Sequence, residues 1–306
     1  MQWFKTTRRT LVYSFVLLVI GFFNVIPRKL AVFIAAAAGQ IAYLLLAKDR
    51  IKAERNLTYA YGDRLSPGQR RVIVRNLFAN FGRNAADVVR LRRHYHNEIK
   101  SLVDVEGMPH FERAYKRGKG VVAITGHIGN FELLAAFFVS LGYRAAAIGR
   151  ELYDKRLNRL LAGNREALGL VTIDTRDSPR KMFRFLKEGH VLGVLMDTDS
   201  FRVRSIFVPA FGRLSHTPVG QSILGLRSGA AFVPLACVRN GSRYKIVIKP
   251  EIIIERSDDF EKDVYNITRK CTEALEDIID DYKDQWIWVH NRWHNRPEKS
   301  IPDYRG

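Results

Sequence analysis

The chain opens with two apolar blocks, Leu11–Ile26 and Leu30–Ala47, separated by Pro27-Arg28-Lys29. Each block falls a little short of the ~20 residues that span a bilayer. The pattern fits one tilted span, a re-entrant helical hairpin, or two helices lying at the interface. Basic residues flank both ends (Lys5, Arg8 and Arg9 before; Lys48, Arg50 and Lys52 after), so a hairpin with both ends on the cytoplasmic side fits the charges best and monotopic anchoring is favoured. No small-residue cleavage site ahead of a polar start marks the segment as a signal peptide. Residues 52–100 read as helices, with Val72, Leu77, Phe78, Phe81 and Val88 among the apolar positions. Their basic face carries Arg70, Arg71, Arg75, Arg83, Arg90, Arg92 and Arg93. Ser66-Pro67 is a helix start. From residue 120 the period alternates. Strand-like runs at 121–125, 143–148, 171–174, 191–196, 231–238 and 244–249 are interleaved with helical runs at 130–140, 154–167, 179–188, 217–227 and 258–282. This predicts an α/β fold, a mainly parallel or mixed sheet flanked by helices, behind an N-terminal hydrophobic helical membrane anchor. The expected division is an anchor over 1–50 and an α/β domain over 51–306. The aromatic and basic stretch Trp286–Arg296 should close over the sheet or lie against a membrane.

The first candidate for chemistry is His127-Ile128-Gly129-Asn130-Phe131-Glu132, directly after the apolar run Val121–Ile124. Residues five apart on a regular helix point about 140° away from each other. His127 and Glu132 therefore meet only if the histidine lies in the strand-to-helix loop and the carboxylate in the first helical turn. Gly126 and Gly129 allow that turn, and the carboxyl ends of strands are where open α/β sheets place their sites. A carboxylate on one ring nitrogen would fix the tautomer and leave the other nitrogen to take a proton. The alternative is that both side chains only cap a helix end. No Gly-x-Ser-x-Gly nucleophile motif occurs, so the pair suits direct transfer, in which the base deprotonates a hydroxyl that attacks an activated acyl group.

Gly126-His127-Ile128-Gly129-Asn130-Phe131-Glu132 resembles the His-x-x-x-x-acid dyad of the lysophospholipid acyltransferase superfamily. Within it, the chain is most similar to the late lauroyl and myristoyl acyltransferases of lipid A biosynthesis. Arg55-Asn56-Leu57, Phe207-Val208-Pro209-Ala210-Phe211-Gly212, Thr217-Pro218, Arg227-Ser228-Gly229-Ala230 through Val233-Pro234, Trp293 and Arg296-Pro297 carry the likeness in order. It runs from roughly residue 10 to 297. A Phe-Pro-Glu-Gly block, typical of relatives acting on glycerol phosphate, is missing, which points toward glycolipid acceptors. Phosphatidylinositol mannoside acyltransferases share much of the pattern and remain the alternative.

The resemblance implies His127 as general base and Glu132 as its orienting partner. It places Arg150, after the strand Ala145–Ile148, at the same edge as a contact for phosphate or developing charge. Asn130 joins it in substrate binding, as do Asp197 and Asp199 at the end of Val191–Met196, which would orient sugar hydroxyls or hold Arg150. It implies no metal or organic cofactor. His290 and His294 stand four apart, but no third ligand accompanies them. Acyl carrier protein or acyl-CoA would be the donor, a glycolipid such as a lipid A precursor the acceptor, and the cytoplasmic face of a bacterial inner membrane the location. The net charge of +19 fits acidic lipid headgroups, acceptor phosphates or an acidic carrier protein. Nucleic acid is disfavoured because the arginines are spread out and no recognition motif accompanies them. Cys237 and Cys271, far apart in apolar or helical surroundings, read as buried reduced thiols. A non-enzymatic reading, an idle lipid-binding protein on the same fold, is countered by the intact dyad and its flanking glycines.

Overall fold

A computed structural model describes residues 2–149, 154–199, 203–295 and 297. Four helices come first: α1 (Gln2–Val25), α2 (Arg28–Leu45), α3 (Ala47–Tyr61) and α4 (Pro67–His94). Pro27 separates the first two because it cannot continue a helical hydrogen-bond ladder. Both are long and apolar enough, by length and composition, to cross a membrane. Leu11, Phe15, Leu18, Phe22 and Val25 of α1 are all exposed and form an apolar surface. Ser66 starts α4 as the pattern predicted. Its hydroxyl accepts the Gln69 N–H while the Gln69 side chain accepts the Ser66 N–H at 2.8 Å, a reciprocal cap with Pro67 at the first helical position.

The remainder alternates: β1 (Val103–Glu106), α5 (Met108–Lys116), β2 (Val121–Thr125), α6 (Phe131–Ser140), β3 (Ala145–Gly149), α7 (Lys155–Ala167), β4 (Val171–Asp174), α8 (Pro179–Lys187), β5 (Val191–Leu195), β6 (Ser205–Ala210), β7 (Arg213–Pro218), α9 (Gly220–Ser228), β8 (Ala231–Asn240), β9 (Arg243–Ile248) and α10 (Phe260–Asp281). Seven strands form one sheet in the order β1-β9-β8-β2-β5-β3-β4. Its central and β4-side strands are parallel, and β9 runs antiparallel to β8. The fold is thus mixed α/β with a mainly parallel sheet.

Side chains alternate between the two faces, as the period of two requires. Val122, Ile124, Leu192 and Val194 pack with Met182 and Leu186 of α8, Leu224 of α9 and Leu275 of α10. Val121, Ala123, Val191 and Val233 pack with Phe111 of α5 and Leu133, Leu134 and Phe138 of α6. The strands are buried on both faces, which is why they read as continuous apolar runs.

Several elements departed from the sequence reading. The segment Phe207–Thr217 is a hairpin of β6 and β7, and the helix expected from 217 starts at Gly220. The hairpin turns on Phe211-Gly212, both at positive φ (51° and 71°). That geometry is the two-residue turn that matches strand twist, but it is unusual for a phenylalanine. The Phe211 ring packs against Tyr61, Trp286, Trp288 and Trp293. Cys237 and Cys271 are free and buried.

Candidate active site

β2 and β5 are neighbours, with Thr125 opposite Leu195. Two residues beyond each strand stand His127 and Asp197, so the register itself brings them together. His127 Nδ1 lies 2.8 Å from Asp197 Oδ1, and the His127 backbone N–H donates to Asp197 Oδ2 at 2.6 Å. Trp286 Nε1 donates to the same Oδ2 at 2.8 Å. A carboxylate can only accept here, so the imidazole carries its proton on Nδ1 and leaves Nε2 to accept one.

Burial alone would raise the Asp197 pKa, but the charge and hydrogen bonds of His127, with the Trp286 bond, pull it down to about 2. Burial alone would lower the His127 pKa, and the adjacent Asp197 carboxylate outweighs it, giving a net upward shift. The imidazole is therefore a stronger base than a free histidine.

Backbone packing at the turn demands glycine twice. A methyl group on Gly126 would sit 2.7 Å from Asp197 Oδ2, so only hydrogen lets the carboxylate reach the loop. Gly129 has φ +58°, and a side chain there would run into the Cys237 carbonyl oxygen. The loop is also stitched to the C-terminal segment. Gly129 N–H donates to the Gln285 carbonyl at 3.0 Å, Ile287 N–H to the His127 carbonyl at 3.1 Å, and Ile128 bridges Trp286. Asn56, from the Arg-Asn-Leu segment, holds that C-terminal strip by donating to the Trp288 and His290 carbonyls. The aromatic stretch thus backs the histidine loop.

The predicted residues fall differently from expectation in several respects. Glu132 was expected to orient His127, but that bond goes to Asp197. Glu132 is instead held by Arg165 of α7, which donates through Nε at 2.9 Å and through a second, shorter bond from Nη2. The reason is geometric: Glu132 sits in the first turn of α6 within reach of Arg165 on α7, while Asp197 follows the neighbouring strand β5 and meets the imidazole. Asn130, expected on the substrate, caps α6 by accepting the Leu133 N–H at 3.0 Å, donates to Tyr244 Oη at 3.2 Å and is 2% exposed. Asp197 is equally buried, and its carboxylate is bonded to His127 and Trp286. Asp199 is bonded to His216 Nδ1 at 3.2 Å and to the Asn295 backbone N–H at 2.9 Å. Arg150 lies outside the described residues. Among the described residues, no three metal-ligating side chains cluster, His290 and His294 included.

His127 and Glu132 stand at the edge of a cavity of about 750 Å³. It extends over the sheet face under α6, between Phe81 and Val88 of α4 and Phe111, Leu134 and Phe138 of α5 and α6. Its floor exists because small residues stand side by side: Ala123 pairs with Gly193, and Gly193 with Ala147. Bulkier strand residues there would fill the space. The volume is in the range of roughly 300–1,000 Å³ usual for ligand pockets, and the lining is mostly apolar.

The mainly parallel sheet thus carries a carboxylate-backed histidine at its strand ends, beside a mostly apolar cavity. Over residues 1–295 the chain matches the family described as bacterial lipid A biosynthesis acyltransferase. The chain belongs to that family and is an acyltransferase. It is 24% identical over 265 residues to the lipid A biosynthesis lauroyltransferase of Escherichia coli, covering 85% of this chain and 84% of the relative. To the palmitoleoyltransferase of the same organism it is 23% identical over 287 residues, 89% and 87% of the two chains. The phosphatidylinositol mannoside acyltransferase of Mycolicibacterium smegmatis is 24% identical over 225 residues, 72% of each chain.

Residues that the sequence did not single out include Trp286, read only as part of an aromatic stretch closing over the sheet or lying against a membrane, and Arg165, which carried no signal at all. Asp197 was named, but to orient sugar hydroxyls or hold Arg150 rather than for the histidine.

Proposed function

We propose that this protein transfers a fatty acyl chain from an acyl thioester to a hydroxyl of a glycolipid, with a lipid A precursor as acceptor, at the cytoplasmic face of a bacterial inner membrane. His127 Nε2 takes the proton of the acceptor hydroxyl, and the oxygen attacks the thioester carbonyl. Collapse of the tetrahedral adduct breaks the carbon–sulfur bond, and the leaving thiolate takes the proton back from the imidazolium. Asp197 holds the imidazole and balances its transient charge. Glu132 keeps Arg165 at the cavity edge, where the guanidinium meets an anionic group of donor or acceptor. The acyl chain lies in the apolar cavity, where each buried methylene contributes about 0.8 kcal/mol.

The observation carrying this reading is His127, braced at Nδ1 and bordering an apolar cavity. Relatives of similar identity are named a lipid A biosynthesis lauroyltransferase and a phosphatidylinositol mannoside acyltransferase, which supports a glycolipid acceptor. The decisive experiment incubates purified protein with lauroyl thioesters of acyl carrier protein and of coenzyme A, against each acceptor, and reads products by mass spectrometry. One added acyl unit on the lipid A precursor, lost in His127→Ala, is the expected result. Transfer only to the mannoside would reassign the acceptor, and undiminished transfer by His127→Ala would remove the histidine from the chemistry.

A further inference from the structure

A charge cluster that the acyl-transfer chemistry does not use is buried beside the histidine loop. Its centre is Asp87 of α4, fully buried. Arg28, the first residue of α2, grips both carboxylate oxygens through Nε and Nη2, each at 2.8 Å. Arg239 of β8 donates to Oδ2 at 2.8 Å, and Tyr244 Oη donates to it at 2.6 Å. Burial alone would raise the Asp87 pKa, but the Arg28 bonds and the Arg239 charge hold it below the usual carboxylate range, so the group stays ionised.

From this centre two short paths reach the loop. Tyr244 Oη accepts the Asn130 side-chain N–H, and Asn130 is the cap that begins α6. Arg239 donates to Asn84 Oδ1 at 3.1 Å, while Asn84 Nδ2 donates to the Gly129 carbonyl at 2.9 Å. Gln285 closes the ring: it exchanges hydrogen bonds with the Arg239 backbone, and its carbonyl accepts the Gly129 N–H. Both residues after Ile128 are therefore fixed by groups tied to one carboxylate. Its other tie is to the apolar helices. The α1–α2 turn is bound there a second time, by Asn24 Nδ2 to the Val89 carbonyl and Arg90 to the Ile26 carbonyl.

Buried ion clusters are poor contributors to stability, since desolvation offsets most of their attraction and an apolar replacement often does as well. Their strength is directional: they fix groups in one arrangement. We propose that Asp87 is a positioning residue for the His127 loop, and that Arg28 makes this positioning depend on the seating of the α1–α2 hairpin against α4. The inference rests on His127 being the base of the proposed reaction.

The test uses the full-length protein and the lauroyl thioester donor and acceptor on which the wild type turns over. Tyr244→Phe deletes the one atom joining Asp87 to Asn130 and keeps the ring. Arg28→Lys keeps the charge and loses the two-pronged grip. Each should lower kcat on the order of tenfold to a hundredfold, with the donor KM unchanged, because a misplaced base slows chemistry without weakening binding. Met182→Ala, a core truncation on the opposite sheet face, should reduce thermal stability and leave kcat per folded molecule intact. Wild-type kcat in both Tyr244→Phe and Arg28→Lys would overturn the proposal. So would a loss confined to KM, or an equal kcat loss in Met182→Ala. Should Arg28→Lys fail to fold, Tyr244→Phe decides alone. His127→Ala separates the two ideas: full activity there defeats the reading of the base, whereas a dead His127→Ala beside fully active Tyr244→Phe and Arg28→Lys defeats only the positioning.

Discussion

Asp197 meets His127 twice, at the ring Nδ1 and at the backbone N–H, so one carboxylate fixes both the orientation of the imidazole and the loop that carries it. Under the proposed reaction a histidine held in this way has predictable chemistry, because its protonation and its geometry share one partner.

The pH profile follows from that pairing. In the proposed reaction His127 must be neutral to act, and its pKa is raised above the ordinary histidine value of 6.5. Activity should therefore fall as pH drops through a limb lying above 6.5. Asp197→Asn removes the raising influence and leaves burial, which lowers the pKa. The acid limb of kcat/KM should then move to lower pH, while the maximum falls by roughly 10²–10⁴, as when an orienting carboxylate is lost from a histidine base. Rate–pH curves for the two proteins check this, and an unmoved limb would contradict it.

Trp286→Phe keeps most of the aromatic packing and deletes the indole N–H that Asp197 Oδ2 accepts. A hydrogen bond to a buried charged group contributes about 1.5–3 kcal/mol. Thermal unfolding should shift downward accordingly, and kcat should fall more than the donor KM changes.

Gly126→Ala places a methyl group against the Asp197 carboxylate at a distance real side chains do not tolerate. The carboxylate or the loop must move, and a displacement near 1 Å costs on the order of a hundredfold in rate. Single-turnover assays at saturating donor should show it.

Chain-length preference should respond to Gly193→Val. The new side chain enters the cavity floor between Ala123 and Ala147. Each methylene it excludes weakens binding by about 0.8 kcal/mol, roughly fourfold. Competition between thioesters of increasing length should favour shorter chains than the wild type does; an unchanged order would show that the acyl chain lies elsewhere.

Much of the fold was legible because it is written in periodicity. The buried parallel strands announced themselves as apolar runs, and Ser66-Pro67 marked the start of α4. The hairpin Phe207–Thr217 escaped because its turn puts a phenylalanine at positive φ, with its ring packed among Tyr61 and three tryptophans. At the site, His127 and its two glycines could be read locally. The Asp197 partnership could not, since it depends on β2 and β5 being adjacent in the sheet, 70 residues apart in sequence. The spacing of His127 and Glu132 suggested a contact within reach, and Arg165 took the carboxylate instead. The cavity floor was hidden too: Ala123, Ala147 and Gly193 are unremarkable small residues until the register sets them in one row.

The strip Gln285–Ile287 that backs the histidine loop also fixes when the catalyst can come into being. During synthesis the apolar helices emerge ahead of β2 and His127, and these emerge long before the tryptophan that completes the Asp197 hydrogen bonds. A nascent chain can settle at a lipid surface while its base still lacks a finished seat. On the proposed chemistry, competence for acyl transfer would arrive only once Gln285–Ile287 has been made, so a product truncated ahead of that strip would bind lipid without consuming thioester.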